Sequence, residues 1–400
     1  MDDEAFGAEF QVRWLLAQAD EANNIGQYAT MEYLLKEARR LADGHLDLPI
    51  RIEVAFWLAH AWRMQGHFEE AVADYVWFME LITDPQKSSQ VAGSYRALKY
   101  LPMVFSEFVE AGRYLPSMPL AQLHQVLDRG LAFLQDIGKE EHTCNLRYQK
   151  GLVLKEEGRL QEAQRELEIA LALRNRHSPE LAYTKGTFLF NLGDVSRMLG
   201  DHESAKKYYL EVVEGGWADP WSRAMCAIGM AKSAREQEDL LLADYWAGEG
   251  VSLANQVESP EPCFMAQSEQ LEVLLAQGSV ANLAQEAAAL WQWGRRWNTE
   301  RAKYLTAKNL AQTRLGMARH SLGLAPDPSG PVPDGLPEVP RQALAAARRW
   351  LAAAQGWLAR AEYTGQRLDR QEGVESRGKK LESFKTKARA LSALVRRKDH

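Results

Sequence analysis

The stretch KGLVLKEEGRLQEAQRELEIALAL, residues 150–173, contains the pattern on which our prediction of the fold rests. Gly151 precedes Gly158 by seven positions, and Ala163 follows Gly158 by five. A large residue, Leu167, comes four positions after Ala163. Apolar residues recur at intervals of three and four on both sides of Gly158, which predicts two helices joined by a tight turn. Each helix has only a narrow apolar stripe, so the pair has to pack against other helices to bury it.

The same spacing recurs in two other stretches, LAHAWRMQGHFEEAVADYVWFMELITDP at 58–85 and NLGDVSRMLGDHESAKKYYLEVVE at 191–214. In both, a small residue precedes the turn glycine by seven positions and another small residue follows it by five. A large residue then follows four positions later. The residues in this order are Ala59, Gly66, Ala71 and Tyr75 in the first stretch, and Gly193, Gly200, Ala205 and Tyr209 in the second.

Weaker copies of the pattern lie at 16–43, 227–254 and 265–294. In the second of these copies, Glu238 stands where the turn glycine is expected. In the third, the turn glycine is Gly278 but the register of the small residues is shifted. Six helix pairs are therefore predicted from the sequence, three from clear copies and three from weaker ones.

The recurring spacing resembles the tetratricopeptide repeat, a unit of 34 residues with two antiparallel helices. Small side chains at the crossing let the helices approach closely, and bulky residues one turn away fill the grooves. The resemblance covers roughly residues 10–322. It implies an all-α fold, an α-α superhelix of stacked helix pairs (a TPR-like solenoid) with a C-terminal helical extension. We assign 1–322 to the repeat array, and its irregular segment at about 87–142 to a divergent helical pair with an extended connection.

The region after the array begins with a proline-rich segment, 323–340. Six prolines lie between residues 324 and 340, which excludes a helix there. We interpret the segment as a semi-rigid linker or as a strap over the surface. Residues 341–400 are predicted to form C-terminal helices, the first of which places Trp350 and Trp357 on one face. That face either caps the array or contacts a partner.

The end of the chain is basic. Residues 367–400 contain eleven Lys or Arg and five Asp or Glu, a local net charge of +6, whereas the whole chain carries −6. A last amphipathic helix is predicted near 379–397, and such a basic tail is able to bind acidic protein, nucleic acid or anionic lipid. The interpretation we favour is that the tail docks on the acidic array of its own chain, because opposite charges attract.

Signatures of catalysis are absent from the sequence, which has no P-loop, no G-x-G-x-x-G after a strand, no H-E-x-x-H and no G-x-S-x-G. The nine histidines form no i, i+4 pair with one another or with cysteine. The cysteines, Cys144, Cys226 and Cys263, lie far apart. We therefore predict no catalytic residue, no cofactor and no metal site, and we do not expect an enzyme.

Composition and termini bear on the location of the protein. Three isolated cysteines fit a reducing cytoplasm. The start, MDDEAFGAEF, lacks the basic and apolar regions of a signal peptide. No apolar run approaches the roughly 20 residues of a membrane helix. We expect a cytoplasmic protein without a membrane span, and a composition rich in Ala, Leu, Arg and Trp suggests a bacterium with a GC-rich genome.

The resemblance also implies where a partner binds, since ligands of this family usually lie along the concave surface formed by the first helices. The candidate partner-binding residues at those positions are Asn23, Asn24, His60, Arg63, Tyr148, Lys155, Asn191, Asp194, Arg197, Lys232 and Arg235. One subclass of the family grips the carboxylate of heat-shock chaperones with a lysine and an asparagine four apart. The matching positions hold Leu16 with Asp20 and Phe56 with His60, so chaperone binding is not predicted.

A second group of candidates is aromatic and basic. Trp293 and Trp297 share a helical face near several arginines, which suits a groove that grips a peptide or stacks a base. The interpretation we favour is that these large residues seal the C-terminal end of the array. The secondary candidates are Trp293, Trp297, Trp350, Trp357, Lys379 and Lys380.

The function predicted from these features is that of a protein–protein interaction scaffold or adaptor, with a partner protein or peptide in its concave groove. One alternative is a peptide-responsive regulator. Such regulators usually carry an N-terminal DNA-binding module, and repeats that begin near residue 12 leave no room for one. Another alternative is a nucleic-acid-associated adaptor that uses the basic tail, which predicts an affinity that falls steeply with salt.

Overall fold

The structure is a computed structural model that describes residues 3–24, 27–83, 95–115, 117–136, 138, 143–177, 185–216, 218–257, 259–297, 300–372 and 376–398. Over these residues the regular structure consists of seventeen α-helices, and no strand occurs among them. The all-α prediction is therefore confirmed. Contacts divide the chain into two compact units, Met1–His177 and Ser178–His400.

The first unit contains eight helices. They are α1 Asp3–Asn24, α2 Tyr28–His45, α3 Leu48–Met64, α4 Phe68–Thr83, α5 Tyr95–Tyr114, α6 Leu120–Asp136, α7 Thr143–Glu156 and α8 Leu160–His177. Each helix packs on the next in the chain. In addition, α3 packs on α5 and α5 on α7, so the first helices of successive pairs lie side by side. The segment at 87–142 thus contributes the helical pair α5 and α6 to this stack.

The second unit contains nine helices. They are α9 Lys185–Met198, α10 His202–Glu214, α11 Pro220–Glu236, α12 Leu240–Ala254, α13 Pro260–Gln277, α14 Leu283–Trp297, α15 Glu300–Ser321, α16 Arg341–Glu372 and α17 Ser376–Arg397. Again neighbours in the chain pack together, and α9, α11, α13 and α15 also contact one another in that order. This is the contact pattern of stacked helix pairs in a helical solenoid.

Small residues lie where the paired helices cross, as the sequence predicts. A Cβ atom on Gly193 of α9 would lie 2.5 Å from the ring of Tyr209 on α10. A Cβ atom on Gly229 of α11 would come equally close to the same ring, which is fully buried. Gly151 and Leu167 make the equivalent contact between α7 and α8, at 2.7 Å. The missing side chains therefore provide the space in which the large residue of each unit packs.

The turn between paired helices requires one residue with positive φ. Gly66, Gly158 and Gly200 adopt φ values of 81°, 79° and 84°. Glu238, the residue in place of the expected glycine, adopts φ 62° and is the one non-glycine residue with positive φ in the described part of the chain. The backbone N–H groups of Gly200 and Glu238 donate in the same way, to the carbonyl oxygens three residues earlier at 2.9 and 3.0 Å. The turn geometry is thus retained without glycine.

The proline-rich segment packs on α15 as a strap. Arg319, only 3% exposed, donates from Nε to the carbonyl oxygen of Ala325 at 2.8 Å. Its Nη1 donates to the carbonyl oxygens of Gly330 at 3.3 Å and Pro331 at 3.0 Å. Leu336 is buried in the apolar cluster that α15 and α16 share. One buried arginine therefore satisfies three carbonyl groups that have no helix of their own.

The last two helices bury their apolar stripes within the second unit. On α16, the buried stripe packs with α15 and consists of Leu344, Ala347, Leu351, Ala354, Leu358 and Ala361. On α17, the stripe packs in the same cluster and consists of Leu381, Ala388, Leu391 and Val395. Lys385 of α17 pairs with Glu362 of α16. The apolar face of the basic tail is thus occupied by the chain itself.

The crossing in the third clear repeat predicts the effect of a small change. We expect Gly193→Ala to lower the free energy of unfolding by about 1–3 kcal/mol, because its methyl group overlaps the buried Tyr209 ring. The matched control is Gly248→Ala on α12, where an added Cβ meets no atom within 4 Å. This control should raise stability by roughly 0.8–1 kcal/mol through helix propensity. Urea denaturation measures both, and equal effects would contradict the crossing model.

The turn at Glu238 predicts a stabilising substitution. Glu238→Gly should raise the free energy of unfolding by about 1 kcal/mol, because glycine adopts positive φ without the steric cost of a side chain. Gly200→Ala, at the matching position of the preceding repeat, should destabilise by a similar amount. Chemical denaturation of the two variants beside the parent tests this, and a loss of stability in Glu238→Gly would refute it.

Candidate partner-binding surface

In the first unit, the predicted surface residues form ion pairs across neighbouring first helices. Arg63 of α3 donates from Nε to Glu107 Oε2 at 2.5 Å and from Nη1 to Glu110 Oε1 at 2.8 Å, both on α5. His60 Nδ1 lies 3.4 Å from the same Glu107 oxygen. The hydroxyl of Tyr75 also points at Glu107, at 3.4 Å. Arg63 and His60 thus hold α3 against α5.

The electrostatics of this cluster depend on burial and on Arg63. Burial raises the pKa of Glu107, but the Arg63 charge and the His60 hydrogen bond outweigh it and bring the pKa to about 2. Glu110 differs, because burial raises its pKa and the neighbouring Glu107 charge adds to that effect, against the attraction of Arg63. The pKa of Tyr75 is raised well above its usual value, chiefly by burial. Glu107 is therefore the carboxylate that the cluster stabilises in its ionised form.

The chain of polar contacts continues from α5 to α7. Arg113 donates to Gln149 Oε1 at 3.4 Å and to Glu156 Oε1 at 2.5 Å. Gln149 in turn donates to Glu110 Oε2 at 3.4 Å. We call this set, together with Arg63 and Glu107, the first-unit ladder. Glu107, Glu110 and Arg113 are not among the predicted candidates, because they belong to the segment that departs from the repeat pattern.

The remaining predicted residues of the first unit lie near this ladder or outside it. Tyr148 and Lys155 are half-buried on α7, and both make further contacts. Asn23 is half-buried at the end of α1, while the side chain of Asn24 lies outside the described residues. Of the five side chains described, only His60 and Arg63 are brought into one cluster by the structure.

In the second unit, a similar ladder crosses α9, α11 and α13. Arg197 donates to Asp194 at 2.7 Å on its own helix and pairs with Glu236 on α11. Arg235 of α11 binds both oxygens of Glu269 on α13, at 2.7 and 3.2 Å. The ladder extends to α15, where Lys308 lies 3.8 Å from Glu272. Asn191 is buried and donates to the carbonyl oxygen of Thr187 on its own helix, at 3.0 Å.

Lys232 differs from the other predicted residues of this surface. It lies on α11 three positions before Arg235, close enough to Arg197 of α9 for their charges to interact, and it is half-buried. Burial lowers the pKa of its ammonium group, while Asp194 and Glu269 act in the opposite direction. Across the described residues, Lys232 forms no ion pair, whereas Arg197 and Arg235 do. Its charge is therefore the least compensated one in the second-unit ladder.

The secondary candidates have separate environments. Trp297 packs against Phe264 with ring centroids 5.3 Å apart, and it is half-buried against the core cluster to which Phe264 belongs. Trp293 and Trp350 lie under the guanidinium groups of Arg296 and Arg314, at 4.7 and 4.9 Å. The side chains of two further candidates lie outside the described residues, namely Lys379 and Lys380.

Trp357 lies beside a large cavity. Its ring centroid is 5.4 Å from that of Trp291, in an edge-to-face arrangement. The Arg360 guanidinium lies 4.6 Å above the ring. Both tryptophans and the arginine line a cavity of about 710 Å³. Of these three residues, only Trp357 is among the predicted candidates. Trp291 lies on another helix, whereas Arg360 follows Trp357 by three positions on α16, so helical spacing was a signal that could have pointed to Arg360.

The described part of the chain contains neither a membrane-spanning helix nor a cluster of metal ligands. No helix there is long and apolar enough to cross a membrane. Nor do three or more His, Cys, Asp or Glu side chains converge there in a way that could hold a metal ion. The three cysteines are buried as free thiols.

Comparison with known proteins agrees with this architecture. Residues 186–214, which span α9 and α10, match the family model described as a tetratricopeptide repeat. No curated protein matches the chain in sequence. The stacked helix pairs define a helical-repeat protein, in which the segment 186–214 is similar to a tetratricopeptide repeat.

Two solved structures are similar to the chain. One is BtubC (BKLC) from P. vanneervenii, with 16% identity and a TM-score of 0.40, over 51% of this chain and 86% of that chain. The other is a tetratricopeptide repeat protein from Parabacteroides merdae ATCC 43184, with 11% identity and a TM-score of 0.37. This second similarity covers 90% of this chain and 98% of that one.

The first-unit ladder predicts a pH-dependent contribution to stability. Because the folded pKa of Glu107 is about 2, against an ordinary value of 4.5, its ionised form stabilises the fold above pH 4.5. That contribution is lost as the pH falls from 4.5 towards 2. We expect Glu107→Gln to lower the free energy of unfolding by about 3 kcal/mol at pH 7, because it leaves Arg63 without its main partner.

The matched control is Glu110→Gln on the same helix. Its pKa is raised, so its ionised form is not favoured by folding, and the substitution should cost less than Glu107→Gln. Urea denaturation at pH 7 and at several values between 4.5 and 2 compares the variants with the parent. A difference between Glu107→Gln and the parent that stays constant over this range would contradict the assignment.

Proposed function

We propose that the protein is an interaction scaffold that binds an extended, acidic segment of a partner protein along α9, α11 and α13, without catalysis of its own. Tetratricopeptide-type repeats generally mediate protein interactions, and such folds are generally not catalytic. The observation that carries this proposal is the half-buried Lys232, a cation without an ion pair among the described residues. A carboxylate of the partner would form the ion pair that Lys232 does not form with the described residues of its own chain.

The surroundings of Lys232 offer the partner segment one charged contact and one apolar contact. Arg197 and Arg235 are held by Glu236 and Glu269, so their positions are fixed and their charges largely compensated. About three helical turns before Lys232 on α11, roughly 16 Å along the axis, Trp221 packs against Phe190 of α9. The two ring centroids are 5.8 Å apart, and both rings are half-buried. A partner segment with a carboxylate for Lys232 and an apolar side chain for this aromatic pair fits the surface. The aromatic pair would then supply the apolar contact area and Lys232 the specificity.

The alternative of nucleic-acid binding through 367–400 has less support. The apolar stripe of α17 is buried on the chain itself, and Lys385 pairs with Glu362 and lies 3.5 Å from Glu382. Part of the basic charge of the tail is therefore compensated internally. We keep a cytoplasmic, bacterial adaptor as the working proposal.

The test is selection of binding peptides from a random display library on the full-length protein. We expect the selected peptides to carry Asp, Glu or a free C-terminal carboxylate. Their affinity should fall about tenfold in Lys232→Met, the loss of one charge-assisted contact of about 1.4 kcal/mol. Lys207→Met, on the exposed surface of α10, should leave the affinity unchanged.

The pH dependence of binding provides a second measurement. Because burial lowers the pKa of Lys232 below its ordinary 10.5, the affinity should fall as the pH rises through that lowered value. Lys232→Met should abolish this dependence. If the peptides bind Lys232→Met as tightly as the parent, the proposal fails. If instead binding is lost in Arg396→Glu with Arg397→Glu, the tail is the binding element.

A further inference from the structure

The cavity beside Trp357 is bounded by α14, α15 and α16. Its volume of about 710 Å³ falls in the range of roughly 300–1,000 Å³ that is typical of small-molecule sites. Trp291 of α14 and Trp357 of α16 form one wall, with their rings edge to face at 5.4 Å. Two indole rings offer a planar ligand a large apolar contact surface. The size and the walls of the cavity suit a small aromatic molecule.

The charge of the cavity has one sign. Arg295, Lys303 and Arg360 line it, and its lining residues include no carboxylate. Neither Arg295 nor Arg360 forms an ion pair with any residue that the structure describes. The Arg360 guanidinium is held 4.6 Å above the Trp357 ring. Stacking on an indole ring orients a guanidinium without neutralising it, so its N–H groups remain able to bind an anion.

A buried hydroxyl group lacks a partner in the same cavity. Thr306 of α15 lines the cavity and is 4% exposed. Among the residues that the structure describes, none forms a hydrogen bond with its Oγ1. Leaving a buried hydroxyl unpaired costs about 1–3 kcal/mol, so such a group requires an explanation. A polar atom of a bound ligand would remove that cost.

A glycine makes room for this hydroxyl group. Gly294 of α14 lies opposite Thr306, and a Cβ atom on Gly294 would overlap Thr306 Oγ1. Gly294 departs from the otherwise large side chains of this part of α14, where Trp291 and Trp293 are neighbours. The Thr306 hydroxyl group therefore packs on the bare backbone of Gly294, and a side chain at position 294 would displace it.

We propose that this cavity binds a small ligand in which a planar aromatic ring carries an anionic group, either carboxylate or phosphate. The ring lies against Trp291 and Trp357, the anion is bound by Arg295 and Arg360, and Thr306 forms a hydrogen bond with a polar atom of the ligand. The site shares no residue with the surface around Lys232. The proposal of a small-molecule site can therefore be tested independently of the proposed partner binding.

Isothermal titration of the full-length protein with four probes tests the ligand class. The probes 1-naphthyl phosphate and 1-naphthoate combine a ring with an anion, 1-naphthalenemethanol has the ring alone, and inorganic phosphate has the anion alone. We expect at least one of the two combined probes to bind at least tenfold more tightly than either partial probe. The stronger of the two identifies the anion as phosphate or carboxylate.

Two variants locate the binding. Arg360→Gln should weaken the combined probe about tenfold, whereas Arg349→Gln, an exposed arginine on the same helix, should not change its affinity. Thr306→Val keeps the side-chain shape and removes the hydroxyl. It should weaken the probe while raising the thermal midpoint of the free protein, since the unpaired hydroxyl is gone. A merely structural role for Thr306 would not produce these opposite changes.

Several outcomes would overturn the proposal. They are the absence of binding by both combined probes, equal affinity for 1-naphthalenemethanol, and unchanged affinity in both Arg360→Gln and Thr306→Val. Binding of acidic peptides that Lys232→Met removes, without any naphthyl probe binding, would support the partner surface and refute the small-molecule site. The converse result would support the cavity and refute the partner surface.

Discussion

The close crossing of paired helices is the contact on which the rest of the structure depends. In the second unit, one buried ring, Tyr209, packs against the bare backbones of Gly193 and Gly229. Those two glycines belong to successive first helices, α9 and α11. A single side chain therefore sets both the distance within one pair and the distance to the next. Because protein interiors are close-packed, a change of one methyl group at this point would propagate to both neighbours.

The ion-pair ladders are a consequence of that spacing. Once first helices lie side by side, a side chain on one helix reaches a carboxylate on the next, as Arg63 reaches Glu107 and Arg235 reaches Glu269. Desolvation offsets much of the attraction within a pair of this kind, whereas removal of one partner is costly because it leaves the other charge unpaired. The pairs thus favour the register in which every charge meets its partner. In the second unit, Arg197 and Arg235 are compensated by carboxylates of the chain, whereas Lys232 is not. Lys232 is therefore the position at which the charge of a partner would have the largest effect.

The end of the second unit is covered by two helices and by the proline-rich strap. The helices α16 and α17 cover the apolar surface of α15, and the strap is fastened by hydrogen bonds from the buried Arg319. These helices cover the apolar face of the last repeat. Repeat arrays need such a cover at their ends in order to be soluble. Where α16 crosses α14 and α15 the packing is incomplete, and the cavity lined by Trp291 and Trp357 remains.

The repeats, their turns and the all-α fold follow from the sequence, because they rest on residues within one unit. The spacing around Gly158 requires only local periodicity, and even the exception at Glu238 keeps the turn that its position in the pattern predicts. The apolar stripes of α16 and α17 also follow from the sequence. The spacing of their residues does not, however, predict which helix each stripe contacts.

The candidate sites needed the tertiary structure. Glu107 lies in a segment without the repeat pattern, yet packing brings it to Arg63, 44 positions away. Gly294, Thr306 and Arg360 belong to three helices, and only their packing makes them one cavity. Helical periodicity determines which face of a helix is apolar, because neighbours on one helix are three or four residues apart. Which polar side chains meet across helices depends on crossing angles and distances, and these are set by the shapes of all the buried side chains together.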